Sequence, residues 1–243
     1  MGLKRLDKLI ALNCNVSRKE ARQLIKDSAV SVNGRVVLRA EELIDVENDD
    51  IDVKGYNFTL KEHVYIMLNK PQGVVSATRD PAKTTVVDII PPELKRRSLF
   101  PAGRLDRDTT GLLIITDDGA FAHRIMSPAH HVYKTYHAVL SFPLYDVDIE
   151  KLESGITLDD GKECLPAKVK AFTTEDGLPA AEIRIREGKY HQVKRMFAAV
   201  GNHVEKLRRV QIGSLKLDMS IPEGDCRELT DKELELVFID EEI

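Results

Sequence analysis

Residues 103–119 constrain this chain more than any other stretch. A polar loop, Gly103-Arg104-Leu105-Asp106-Arg107-Asp108-Thr109-Thr110-Gly111, carries acids in its middle and feeds the apolar run Leu112-Leu113-Ile114-Ile115. An uninterrupted apolar run of this length reads as a buried strand. Asp117-Asp118-Gly119 then turns the chain into a short helix, expected over Ala120–Met126 and ended by Pro128. A carboxylate held in a loop against a rigid strand is well placed to act as a nucleophile. Loop aspartates also commonly cap turns, so the residues alone leave both roles open for Asp106 and Asp108.

The flanking sequence divides into two patterns. In the first sixty residues Leu3, Leu6, Leu9 and Ile10 recur at helical spacing until Asn13-Cys14-Asn15 interrupts them. A second helix is expected from Ser17, which stands three residues before Glu20 in a capping-box arrangement, with Val16, Ala21, Leu24 and Ile25 as its apolar stripe. Val30–Val37 alternates about Asn33-Gly34, a pair suited to the positive φ of a tight hairpin turn. Arg18, Lys19, Arg22 and Lys26 lie on the polar side of the second helix. This helix-helix-hairpin unit resembles the RNA-binding domain named after ribosomal protein S4, and the resemblance implies that those four residues contact RNA. The polar segment Lys54–Asn57 is expected to end the unit and act as a linker.

From Val64 onward strands dominate: Val64–Leu68, Leu112–Thr116, Thr135–Leu140, Ala181–Ile185 and Lys206–Ile212. A longer helix is expected over His191–Val200, closed by Gly201. There Val193, Met196, Phe197 and Val200 follow i, i+3, i+4, i+7 and should face the core, leaving His191 and Lys194 toward the edge of the stripe. The division expected is 1–58 for the small domain and 59–243 for the larger one.

Charge separates these regions further. The formal net charge is -4, yet residues 1–40 carry nine Lys/Arg against three Asp/Glu, and residues 184–209 carry eight against two. Seven acids fall within residues 41–52. Two basic blocks on a mildly acidic chain fit a polyanionic partner, and they equally fit solvated surface charge. The three cysteines, Cys14, Cys164 and Cys226, are odd in number and far apart, which suggests neither a disulfide framework nor a metal site. The histidines likewise show no zinc-ligand spacing. No apolar run approaches the roughly 20 residues of a membrane span, and the N-terminus lacks a secretory signal's apolar core. A reducing cytoplasm is the expected compartment.

Gly103-Arg104-Leu105-Asp106 with Thr110-Gly111-Leu112-Leu113 is similar to the signature of the RsuA family of pseudouridine synthases. The likeness extends to Leu68-Asn69-Lys70-Pro71-Gln72-Gly73, to Lys134-Thr135-Tyr136 and to Glu187–Met196, four blocks in order across residues 63–215. It implies an α+β chain: a small S4-like helix-hairpin domain followed by a catalytic domain built on a mixed, largely antiparallel sheet. It implies Asp106 as the catalytic nucleophile, Lys194 as the base paired with it and Tyr136 as the ring stacked on an extruded uracil. Arg104, Lys189 and Arg195 become RNA contacts.

The implied reaction breaks the bond between uracil N1 and ribose C1′, turns the base and rejoins it through C5, so no cofactor and no metal are expected. Neither a Walker A nor a GxGxxG fingerprint is present. The implied substrate is 16S ribosomal RNA within a small-subunit precursor, bound by a monomeric chain. Three alternatives stand beside this reading. One is a synthase for a large-subunit uridine, whose relatives often carry Arg where this chain has His191. Another is a non-catalytic ribosomal RNA-binding or assembly protein, against which the intact Asp, Tyr and Lys set argues. The last is a glycoside hydrolase using Asp106 and Asp108, which is disfavoured because neighbours at i and i+2 seldom straddle a scissile bond.

Overall fold

A computed structural model describes residues 3–46, 48–58, 61–96, 98–127, 130 and 132–240, without the side chains of residues 56–58. Pro128 and His131 lie outside the described residues, so the helix stop assigned to Pro128 is not among the observations. The chain forms two compact units, one from residues 1–64 with 91–99, the other from residues 65–90 with 100–243.

In the first unit, β1 (Lys4–Arg5), α1 (Leu6–Asn13) and α2 (Arg18–Lys26) precede five short strands. These are β2 (Val30–Val32), β3 (Arg35–Val36), β4 (Leu43–Ile44), β5 (Ile51–Val53) and β6 (Tyr56–Phe58). The capping box at Ser17 forms as read: the Ser17 side chain accepts from the Glu20 amide, and Glu20 Oε2 accepts from the Ser17 amide at 2.6 Å. Asn33 and Gly34 both take positive φ, 50° and 76°, and close the β2–β3 hairpin.

Lys54-Gly55 is a second such turn, joining β5 to β6 in the sheet order β3-β2-β5-β6. The linker expected over Lys54–Asn57 is therefore a hairpin. Its polar residues reflect the positive φ at 54 and 55, a demand that hairpin turns and linkers both leave as polar sequence. Leu6, Leu9, Ile10, Ala21, Ile25, Val30, Val32, Ile44 and Ile51 form one core beneath the helices. Segment 91–99 joins this unit partly through Arg96, which donates to Asn13 Oδ1 at 3.1 Å and to the Lys61 carbonyl at 3.3 Å.

The second unit is built on nine strands among the described residues. In chain order its elements are β7 (Tyr65–Lys70), β8 (Phe100–Pro101), β9 (Thr110–Thr116), α3 (Gly119–Met126), β10 (Lys134–Leu140) and α4 (Asp146–Ser154). They continue with β11 (Lys168–Thr173), β12 (Pro179–Ile185), α5 (Gln192–Ala199), β13 (Val204–Ile212), β14 (Leu215–Lys216), β15 (Cys226–Glu228) and α6 (Asp231–Leu236). The order across the sheet is β11-β12-β10-β13-β9-β7-β15, with β8 on β9 and β14 on β13. Among the described strands of this sheet, β9 and β13 run parallel and the other pairings are antiparallel. The α+β class with a mixed, largely antiparallel sheet is as expected.

Strand β9 is the apolar run read from sequence, and Leu112–Thr116 are fully buried. Leu112 and Ile114 meet Met67, Ala122, Ile125, Ile212 and Val237 in one apolar cluster, which pins α3 against the sheet. Asp118 caps α3 by accepting from the Ala120 and Phe121 amides at 2.9 and 3.1 Å, and Tyr65 Oη donates to its other oxygen at 2.8 Å. On α5, Val193, Met196 and Phe197 are buried, the apolar stripe expected.

Candidate active site

The loop that carries Asp106 is fixed at its exit, at its centre and from beneath. At its exit, Gly111 has φ +97° where β9 begins its parallel pairing with β13. A Cβ there would fall 2.3 Å from the Arg209 carbonyl oxygen, so no larger residue fits. At its centre, Ser76 Oγ accepts from the Leu105 amide at 3.0 Å and donates to the Leu105 carbonyl at 2.8 Å. Gly73 donates its amide to the Arg107 carbonyl at 2.8 Å, and Arg107 Nε returns a bond to the Gly73 carbonyl at 3.0 Å.

Beneath the loop, the fully buried Lys70 donates from Nζ to three carbonyls, Thr109 at 2.9 Å, Pro71 at 3.0 Å and Arg107 at 3.3 Å. Burial lowers its pKa to about 8, against the opposing pull of Asp108, Asp106 and Glu223. The Lys70–Gly73 block is thus the support of the acidic loop, a role that its sequence marks as a turn without specifying what the turn holds.

Asp106 and Tyr136 both line one cavity of about 650 Å³, together with Arg104, Lys189, His191 and Leu207. Tyr136 lies on β10, and its ring is held from behind by Arg209. That guanidinium sits 5.9 Å from the ring centroid, donates from Nη1 to Tyr136 Oη at 3.5 Å and from Nε to the Leu112 carbonyl at 2.8 Å. His191 precedes α5 in the left-handed conformation, φ 50°, and stacks on Tyr190 with centroids 3.8 Å apart. This turns its Nε2 to 3.6 Å from Asp106 Oδ1.

The base assigned to Asp106 from sequence is placed otherwise. Lys194 Nζ donates to Asp108 Oδ1 at 2.6 Å, and that bond holds the Asp108 carboxyl below the usual carboxylate range. Two acids two residues apart in one loop compete for the same helix. His191, at the helix start, takes the side of Asp106, and Lys194, one turn on, reaches Asp108.

The expected RNA contacts also separate. Arg104 is exposed at the cavity, and Lys189 lines it while paired with Glu187. Arg195 is bound by Asp159 and, at 2.7 Å, by Asp160, so its charge is neutralised within the unit. Arg18, Lys19, Arg22 and Lys26 are exposed on α2 of the first unit. Sequence reasoning missed Ser76, His191 and Arg209 as site-forming residues. Lys70 stood in a recognised motif, but Ser76 gave no signal at all.

Residues 64–199, more than half of the chain, match the family model described as RNA pseudouridylate synthase. The chain belongs to the RNA pseudouridylate synthase family. Residues 4–51 match the S4 domain. Among curated relatives, an uncharacterized RNA pseudouridine synthase of Bacillus subtilis is 44% identical, covering 96% of this chain and 98% of its own. The ribosomal small subunit pseudouridine synthase A of Escherichia coli is 42% identical over 95% and 98%. A solved structure, described as a crystal structure of pseudouridylate synthase, is 41% identical, covers 96% of this chain and 99% of its own, and superposes with a TM-score of 0.65. As a pseudouridylate synthase with an S4 domain, this chain is an isomerase acting on uridine in RNA, and both resemblances read from its sequence hold.

Proposed function

We propose that this synthase converts one uridine of 16S ribosomal RNA, within a small-subunit precursor, to pseudouridine, with Asp106 as nucleophile. The observation that carries the reading is the shared cavity: a clamped loop brings Asp106 to the same 650 Å³ space as the ring of Tyr136. The choice of small-subunit RNA rests on the relatives named for it, at about 42% identity across nearly the whole chain.

In this mechanism the target nucleotide leaves its stack and enters the cavity, where Tyr136 lies against the uracil plane. The Asp106 carboxylate drives cleavage of the N1–C1′ bond. The base turns and rejoins through C5, the C5 proton is lost, N1 gains a proton, and no atom is added or removed. Rigidity of the loop matters because a misplaced carboxylate loses the attack geometry. Lys194 serves through Asp108: the pair ties α5 to the loop two residues beyond the nucleophile. Arg104, exposed at the cavity, is positioned to hold a phosphate beside the flipped nucleotide. The chain acts as a monomer, since Asp106, Tyr136 and the groups that fix them come from one compact unit. Three free cysteines fit a reducing, cytoplasmic setting.

The test is to incubate unmodified 16S transcript or small-subunit precursor with the protein, map pseudouridine chemically, and repeat with Asp106→Asn. Product at one small-subunit uridine, absent in the mutant, supports the reading. Product confined to large-subunit RNA refutes the choice of substrate, and none on any ribosomal RNA points to a binding role alone.

A further inference from the structure

The first unit contains a buried charge with no part in its apolar core. Asp7, in the first turn of α1, has a side chain with no solvent exposure, and three arginines converge on it. Arg5 donates from Nε to Oδ1 and from Nη2 to Oδ2, both at 3.1 Å. Arg18 Nη2 reaches Oδ1 at 3.2 Å and Arg22 Nε reaches Oδ2 at 2.9 Å. Burial alone would push the carboxyl up; the hydrogen bonds from Arg5, Arg22 and Arg18 outweigh it and hold the pKa at about 2. The acid therefore stays ionised and keeps its geometry.

Each arginine turns only part of its guanidinium inward. The side chains remain 40%, 53% and 53% exposed for Arg5, Arg18 and Arg22, and each fork keeps N–H groups that Asp7 does not take up. Arg18, Arg22 and the exposed Lys26 follow one another at four-residue intervals along a single face of α2. Glu41 touches the rim of the group, accepting from Arg5 Nη2 at 3.4 Å. Long cations on a surface normally sample many rotamers, and ordering them on a ligand costs entropy. Here one carboxylate orders three planar forks before any ligand arrives, and planar forks match phosphate oxygens in pairs.

We propose that Arg5, Arg18 and Arg22 act as one preorganised binding site for RNA phosphates, and that Asp7 is its positioning residue, strengthening RNA binding although its own charge is negative. The proposal deepens the RNA-modifying role above and rests on it for the identity of the polyanion. It separates from a purely electrostatic view at one point. If net charge alone governed binding, removing the Asp7 charge would tighten the complex; if preorganisation governs, removing it loosens the complex.

The experiment measures affinity of the full chain for labelled 16S transcript across a salt series, with Asp7→Asn, Glu41→Gln and Arg22→Lys beside the parent. Asp7→Asn is expected to bind about 5-fold or more weakly despite its added positive charge, with a shallower salt dependence. Glu41→Gln is expected to bind as well as the parent or better. Arg22→Lys keeps the charge but loses the fork, and is expected to bind about 3-fold or more weakly. Pseudouridine formation at saturating RNA should stay at the parent rate in Glu41→Gln. Equal or tighter binding by a folded Asp7→Asn overturns the proposal. Should that variant lose its helical signal, unchanged affinity in Arg22→Lys overturns it instead. A parent that binds the transcript without modifying it would remove the proposed reaction and leave the phosphate site standing.

Discussion

The two basic blocks are alike in composition and opposite in use. In residues 1–40, Arg5, Arg18 and Arg22 share one buried acid and keep much of their surface in water, while Lys19 and Lys26 are exposed beside them. In residues 184–209 the cations are mostly consumed in building the second unit. Arg184 is buried and bound to Asp240, Lys189 is paired with Glu187, Lys194 with Asp108, Arg195 with Asp159 and Asp160, and Arg208 reaches Glu223 at 3.5 Å. Arg209 is buried behind Tyr136. A run of positive charge is therefore not by itself a nucleic-acid footprint; what matters is whether its counter-charges are internal and how much of each cation remains outside.

If that contrast is right, substitutions in the later block should damage stability and turnover, and those in the earlier block should damage RNA affinity. The largest effect is expected for Arg209→Ala, which removes a buried guanidinium between Leu112 and Tyr136. It should lower unfolding free energy by about 3 kcal/mol or more, read by chemical denaturation. A loss below about 1 kcal/mol would show that this cation is dispensable to the core.

Lys194→Met comes next. Without the tie to Asp108 the loop that carries Asp106 is less well fixed, and turnover should fall by about 10- to 100-fold with RNA affinity little changed. The opposite pattern, intact turnover with weakened binding, would make Lys194 an RNA contact and erase the distinction between the blocks.

Acid should sharpen the contrast from the other side. Asp7 has a folded pKa of about 2, below the ordinary carboxylate value of 3.8. The stability it confers is thus complete above the ordinary value and is lost as pH falls through about 2. Comparing the acid denaturation of the parent with that of Asp7→Asn should show an extra loss in the parent over this window, and parallel curves would contradict the assignment. The smallest effect belongs to Lys19→Ala or Lys26→Ala, each expected to weaken RNA binding a few-fold and to reduce the salt slope by about 1, with turnover at saturating RNA unaffected.

Much of this molecule is legible in its sequence where a local rule and the tertiary structure agree. The Ser17 capping box, the Asn33-Gly34 turn, the apolar run of β9 and the buried stripe of α5 each carry a residue type demanded by local geometry. Other elements lack that agreement. Strand β11 lies at the sheet edge with nearly every residue exposed, so no buried face marks it out, and α4 buries only Leu152. The addition of residues 91–99 to the first unit depends on contacts far apart in sequence, such as Arg96 with Asn13.

The site divides in the same way. Asp106 and Tyr136 are legible through motifs that match a known family, and the cavity brings them together. Which acid meets Lys194 is not legible, because Asp106 and Asp108 are equivalent until the left-handed turn at His191 sets the approach of α5. The three carbonyls gathered by Lys70 and the Ser76 clamp are equally hidden, since backbone acceptors leave no trace in side-chain identity.

Quantitative pseudouridine mapping on 16S transcript, parent against Asp106→Asn, tests the central claim most directly. The account requires stoichiometric conversion of one uridine by the parent, a fall of at least about 1,000-fold in the mutant, and RNA affinity within about 2-fold between the two. Conversion by Asp106→Asn at a rate near the parent's would contradict it.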